Sequence, residues 1–145
     1  ALFLDNKKNN LLNVGKNSLL KTKCGNKVKS VSEKRIDDWL FRNGWYSVYE
    51  PPIKIDKGKV VNPDWVLLPQ NGISKPIIIE YWGLSVLKPN ASYWAVQAQP
   101  KYNERRKKKE LFYESAPDYH YIGLTLPDLK DLDSVLGSAL SFLTE

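Results

Sequence analysis

The chain has one cysteine, Cys24, one histidine, His120, and no long apolar run among its 145 residues. A lone cysteine excludes an internal disulfide framework and suits a reducing compartment. So few soft ligands exclude a Cys/His zinc set, and a Ser-His-Asp triad could form only through His120. That histidine alternates with Ile122, Leu124 and Leu126, which is the pattern of a packed strand residue. No run approaches the ~18 apolar residues that span a bilayer, so no membrane role is expected. A Gly-rich phosphate loop is also missing. The first residues, Ala1-Leu2-Phe3-Leu4-Asp5, lack the basic start and extended apolar stretch of a secretory signal. The expectation is a cytoplasmic, intracellular protein, nucleoid-associated if it works on DNA.

What is present is a globular composition, 42% hydrophobic and 12% aromatic, in a chain long enough to bury a real core. The net charge of +6 is unevenly spread. Residues 1–30 hold seven lysines against one acid, and residues 101–109 hold six bases against one acid. Residues 110–145 hold seven acids against one lysine. Basic stretches of this kind bind phosphate backbones by releasing counterions, although solvated lysine-rich surfaces are common.

A helix is predicted from Ser30, where Ser30-Val31-Ser32-Glu33 has capping-box spacing and Asn43-Gly44 supplies a stop. Trp45 to Ile55 reads as a strand broken by Pro51-Pro52. Residues 60–68 and 76–82 read as a hairpin around Gln70-Asn71-Gly72-Ile73-Ser74. A long helix is expected to open near Pro100 and reach about Ser115, followed by a strand from Tyr119 to Leu126. Leu132, Val135, Leu136, Ala139, Leu140 and Leu143 then mark an amphipathic helix. This order predicts an α/β domain, a central mixed β-sheet flanked by helices.

The two hairpin runs carry one acid each, Asp64 in Val60–Leu68 and Glu80 in Ile77–Gly83. An ionised carboxylate inside an apolar strand costs several kcal/mol unless a positive charge meets it. If the loop is centred on Gly72, opposed residues sum to 144 and Asp64 faces Glu80. A tight Asn71-Gly72 turn makes the sum 143 and offsets the two acids by one residue. Cross-strand neighbours lie ~5 Å apart, near enough for one cation to bind both. Mg²⁺, with Mn²⁺ as a substitute, suits one or two carboxylates, a backbone carbonyl such as that of Tyr81, waters and a substrate phosphate. Alternatively, Asp64 caps a turn after Pro63 and Glu80 is solvated at a strand end.

Glu33 is a third candidate acid. The capping box explains it fully, yet it shares a helical face with Ile36 and Leu40. After Glu80, Tyr102, Arg105 or Arg106, Lys109 and Tyr113 recur at helical spacing, while Lys107 and Lys108 point elsewhere as surface or backbone contacts. A lysine beside two carboxylates and a metal could orient water or steady charge on phosphorus. The plainer reading is a lysine helix covering a sheet edge with its stems. Lys101, Tyr102, Arg105, Arg106 and Lys108 are the candidate nucleic-acid contacts. Trp82 and Trp94 are the candidates for stacking on unpaired bases, whereas Trp39 and Trp65 read as core.

Pro63-Asp64 and Ile77-Ile78-Ile79-Glu80 after a hairpin, preceded by a helix bearing Ser32-Glu33, resemble the PD-(D/E)XK nuclease superfamily. The usual lysine two residues after the second acid is replaced here by Trp82. Glu80-Tyr81-Trp82-Gly83 followed by Tyr102, Arg105, Lys109 and Tyr113 is similar to a branch often attached to DNA helicases. In that branch the lysine stands on the following helix, seven residues after a tyrosine, as Lys109 stands to Tyr102. The resemblance covers about residues 28–126. It implies a restriction-endonuclease-like fold and Mg²⁺- or Mn²⁺-dependent hydrolysis of DNA phosphodiester bonds. In those terms Asp64 and Glu80 hold metal, Glu33 assists and Lys109 completes the site. It further implies a nuclease-like domain over 30–145 and a basic segment, 1–29, packed on or extending it.

Two other functions stay open. Trp82 in place of the usual lysine suits a catalytically inactive nucleic-acid-binding module of the same fold. The acidic C-terminal helix suits an adaptor that docks a helicase or other DNA-processing protein, and a homodimer is compatible with either. Pro127-Asp128 is a second Pro-Asp pair, but the helix that follows makes it a strand-to-helix turn with capping acids.

Overall fold

The computed structural model of the chain describes residues 19–55 and 58–144. They form two compact units, one up to Gly44 and one from Trp45 onward. Most of the basic segment 1–29 lies outside the described residues.

In the first unit, β1 (Leu20–Lys21) pairs antiparallel with β2 (Lys27–Val28), ahead of helix α1 (Val31–Arg42). Ser30 starts the helix as expected: its hydroxyl accepts the Glu33 N–H at 3.1 Å. Glu33 in turn accepts the Lys29 N–H at 3.3 Å, so two helix-end donors are satisfied. Gly44, at φ +80°, ends the helix and donates to the Phe41 carbonyl at 3.1 Å. Asp37 and Asp38 are buried, and both hold the β1–β2 turn. Asp37 accepts from Asn26 Nδ2 at 2.9 Å and from the Cys24 thiol at 3.2 Å, and Asp38 from the Lys23 N–H at 2.8 Å. Buried carboxylates persist when hydrogen bonds replace their water in this way.

The second unit is a mixed α/β fold built on a four-stranded sheet of order β3-β6-β7-β8. Its strands are β3 (Ser47–Tyr49), β6 (Trp65–Leu67), β7 (Ile77–Tyr81) and β8 (His120–Leu124). The first three run antiparallel and β8 is parallel to β7. A parallel neighbour needs a long crossover, here helix α2 (Tyr93–Glu114). Strands β4 (Ile53–Lys54) and β5 (Val60–Val61) form a separate two-stranded ribbon. A 3₁₀ turn (Leu126–Asp131) leads into α3 (Leu132–Leu143), which buries Leu132, Leu136 and Leu140. The capping role of Pro127-Asp128 is observed: Asp128 accepts the Thr125 N–H at 2.7 Å.

Two boundaries differ from the sequence expectation and one agrees with it. The strand expected over 60–68 is two, because Pro63 offers no N–H to a ladder and the chain changes partner there. The break in Trp45–Ile55 comes where expected, across Glu50 (φ +50°) and Pro51-Pro52, and sends β3 and β4 into different sheets. Helix α2 begins seven residues before Pro100, because Ser92 caps it by accepting the Ala95 N–H at 3.1 Å. Pro100 therefore lies inside the helix.

One core cluster of this unit joins Ile55, Val61, Val66, Ile78, Trp82, Tyr113 and Ala116. Ile77, Ile78, Ile79 and Glu80 are all buried, as a strand with neighbours on both edges requires. The loop after β7 is pinned to α2, with Gln99 Nε2 donating to the Leu84 and Ser85 carbonyls at 3.0 and 2.9 Å. Ser85 also donates to Asn103 Oδ1 at 2.6 Å. These bonds fix the helix face that the end of β7 meets.

Candidate active site

Trp65 pairs with Ile79, Val66 with Ile78 and Leu67 with Ile77, the register whose residue numbers sum to 144. One step further along, Asp64 and Glu80 are opposite each other. Each is 4% exposed. Asp64 is held from both ends: its carbonyl accepts the Glu50 N–H at 2.9 Å, and its Oδ2 accepts the Tyr81 N–H at 2.8 Å. The second bond ties the first acid to the peptide that directly follows the second.

Glu80 is met from α2. Its Oε2 accepts the Tyr113 hydroxyl at 2.5 Å and lies 3.6 Å from Lys109 Nζ. Lys109 and Tyr113 are one helical turn apart on the same face, so one helix supplies both. The lysine is 41% exposed along its side chain and reaches in from solvent, whereas Tyr113 is fully buried. Burial, reinforced by the Glu80 carboxylate within hydrogen-bonding reach, pushes the Asp64 carboxyl well above its ordinary range. Burial also pushes Tyr102 up to about 12, and it raises Tyr113 and Tyr121 above the ordinary phenol range. Tyr113 is thus a protonated donor to Glu80 at any working pH.

A second polar chain runs beside this one. Glu110 accepts from Tyr121 OH and, at 3.1 Å, from Arg106 Nε. The Trp82 indole N–H donates to Tyr121 OH at 2.8 Å, and the Arg106 guanidinium lies 5.7 Å from the Trp82 ring centroid. Gly123, paired with Glu80 across β7–β8, gives this chain room. A Cβ there would come within 2.5 Å of Tyr121 OH and 2.8 Å of Glu110 Oε2.

The structure thus brings together Asp64, Glu80, Lys109 and the Tyr81 backbone. Tyr102 meets Trp82 edge-on at 6.1 Å. Trp82 itself is buried in the core cluster, so its ring faces are covered. Lys101, Arg105 and Lys108 are exposed on α2. Glu33 belongs to the first unit and caps α1. His120 is half-buried in β8 opposite Ile77. The sequence did not give Tyr113 its partner, although its spacing from Lys109 had marked the shared face. Nor did it foretell the Glu110–Tyr121 contact, since no sequence pattern relates a helix acid to a strand tyrosine eleven residues later.

Asp64, whose proton affinity is raised by burial and by the facing Glu80, is in the condition a divalent cation relieves. Among the described residues no group of three or more His, Cys, Asp or Glu converges. The donor set is therefore the hard carboxylate oxygens of Asp64 and Glu80, a type that fits Mg²⁺ or Mn²⁺. Among the described residues no helix is long and apolar enough to cross a membrane. Comparison with protein-family models gives no match, and comparison with curated protein sequences gives none either.

Proposed function

We propose that the second unit is a metal-dependent DNA endonuclease with a restriction-endonuclease-like architecture. The observation that carries it is the buried, directly opposed pair Asp64 and Glu80 with Lys109 at 3.6 Å from Glu80. An antiparallel hairpin bearing both acids, followed by a crossover helix and a parallel strand, supports the architecture.

Asp64 and Glu80 would hold Mg²⁺ or Mn²⁺, with the Tyr81 carbonyl as a further oxygen donor. Such a cation, when bound, activates water and neutralises charge on a phosphodiester oxygen. The protein's own groups prepare the site for that. The Tyr81 N–H fixes one Asp64 oxygen, and Tyr113 fixes one Glu80 oxygen; the other oxygen of each acid would meet the cation. Lys109 contributes a positive charge beside Glu80, where negative charge would grow on the attacked phosphate. The exposed bases of α2 would engage the DNA backbone. Nothing in this scheme needs His120.

A second reading, a nucleic-acid-binding module without chemistry, draws on the two Glu80 partners, which satisfy that acid from within the protein. Plasmid DNA incubated with the protein in Mg²⁺ or Mn²⁺ separates the two. The expected result is cleavage that EDTA stops and that Glu80→Ala abolishes. Binding without cleavage in either metal, or cleavage undiminished in Glu80→Ala, overturns the nuclease reading.

A further inference from the structure

Helix α2 carries two faces with different chemistry. Tyr102, Arg106, Lys109 and Tyr113 lie toward the acids and the core. Trp94, Lys101, Arg105 and Lys108, spaced seven, four and three residues apart, recur on a neighbouring exposed face. Trp94 is 67% exposed and Tyr93, the first residue of the helix, is 79% exposed. These two large aromatic rings, adjacent in the chain, stand in water at one end of a basic stripe, where each offers a face to a ligand. Trp82, by contrast, has its ring covered and its N–H committed to Tyr121.

We propose that α2 is a binding surface for single-stranded DNA, with an unpaired base stacked on Trp94, and Tyr93 beside it, and phosphates held by Lys101, Arg105 and Lys108. The inference rests on the nucleic-acid reading above and deepens it, naming a substrate with an unpaired strand, such as a flap, fork or free end. Three points favour this occupant over an acidic protein. A basic groove with interleaved aromatics is the means by which single strands are gripped without sequence preference, since every base has a stacking face. Paired bases in a duplex are stacked on each other and offer no open face to Trp94. The rise of 1.5 Å per residue sets Trp94 about 22 Å from Lys109 along the helix. At ~3.4 Å per nucleotide of stacked strand, six or seven nucleotides cover that distance, so one strand can touch both Trp94 and the acid site.

The test is fluorescence anisotropy in EDTA, where no metal-dependent cleavage can occur. The probes are a fluorescein-labelled oligo(dT), a blunt duplex of equal length and a fork joining the two. The wild-type protein is expected to prefer the oligo(dT) and the fork, with affinity rising up to six or seven nucleotides of unpaired strand and levelling beyond. Trp94→Ala should weaken oligo(dT) and fork binding roughly 5- to 100-fold while duplex binding changes less than about twofold. Lys107→Glu lies off the stripe and serves as the charge control for Lys101→Glu, which should weaken binding the more. Equal losses on duplex and single strand in Trp94→Ala, or no loss on either, overturn the inference, as does Lys107→Glu matching Lys101→Glu. Plasmid cleavage can fail while this pattern holds, and the pattern can fail while cleavage holds. The two proposals are therefore separable.

Discussion

Asp64 shows how one side chain can oppose stability and serve function together. Its carboxyl binds a proton more tightly in the folded chain than in the unfolded one, through burial and the facing Glu80. The stability this provides is fully present below the ordinary carboxylate range and is lost as pH rises above it. Thermal denaturation in EDTA should therefore show a melting temperature that declines from mildly acidic to neutral pH, and Mg²⁺ should recover part of the loss at neutral pH. Asp64→Asn keeps an oxygen for the Tyr81 N–H but carries no charge. At neutral pH it should raise the metal-free stability by about 1 kcal/mol or more, roughly 3–5 °C, flatten the pH decline and abolish cleavage. A melting temperature that falls at neutral pH in Asp64→Asn would contradict the charge account. Tyr113 is the complementary case. Tyr113→Phe removes the 2.5 Å bond to Glu80 while keeping the ring in the core. It should cost about 1–3 kcal/mol in urea denaturation and raise the Mg²⁺ concentration needed for half-maximal cleavage. An unchanged Mg²⁺ requirement would make Tyr113 a structural residue only.

Helix α2 links the core, the acid pair and the exposed basic stripe, and Pro100 is its weak point. A proline in a helix interior gives no N–H to the carbonyl four residues earlier and costs about 3 kcal/mol relative to alanine. Pro100 is exposed, so Pro100→Ala has room to recover most of that, less what proline saves in unfolded-chain entropy. The expected gain is about 1–3 kcal/mol, read as a higher urea midpoint with an unchanged slope; a loss would mean the helix needs its proline bend. The same proline explains where the sequence misled. Proline is favoured at the first helical turn, so Pro100 read as a start, whereas the hydroxyl of Ser92 had already capped the helix. Pro63 hid a second boundary, because an apolar run continues across it while the chain changes sheets. Other elements were plain from local chemistry: the Ser30 cap, the Leu132–Leu143 stripe and the break near Pro51. The hairpin register was narrowed to two options by counting from Gly72, and the ladder takes the one that opposes Asp64 to Glu80. Tertiary partners such as Tyr113 for Glu80 depend on how a helix seats on a sheet, and residue spacing alone does not encode that.

Across the whole chain the charge is divided, not merely positive. Residues 101–109 carry six bases and one acid, and the next stretch, 110–145, carries seven acids and one lysine. The net charge of +6 therefore understates the attraction at α2 and would predict the wrong place for it. Charges more than ~8 Å apart are largely screened at physiological salt, so a strand on α2 responds chiefly to the bases it touches. Counterion release makes this measurable, since the logarithm of affinity for a single strand falls with the logarithm of salt at about 0.7 per neutralised phosphate. Replacing Lys101, Arg105 and Lys108 together by alanine removes up to three such contacts. The oligo(dT) slope should then shrink by about 2. Alanine at Lys107 alters the net charge without touching the stripe and should leave the slope nearly as it was. If the triple variant and the Lys107 variant lower the slope by the same amount per charge removed, attraction follows the net charge of the protein and no defined strand path runs along α2. If the slope falls only for the triple variant, the strand lies along the face that begins at Trp94 and ends beside Lys109.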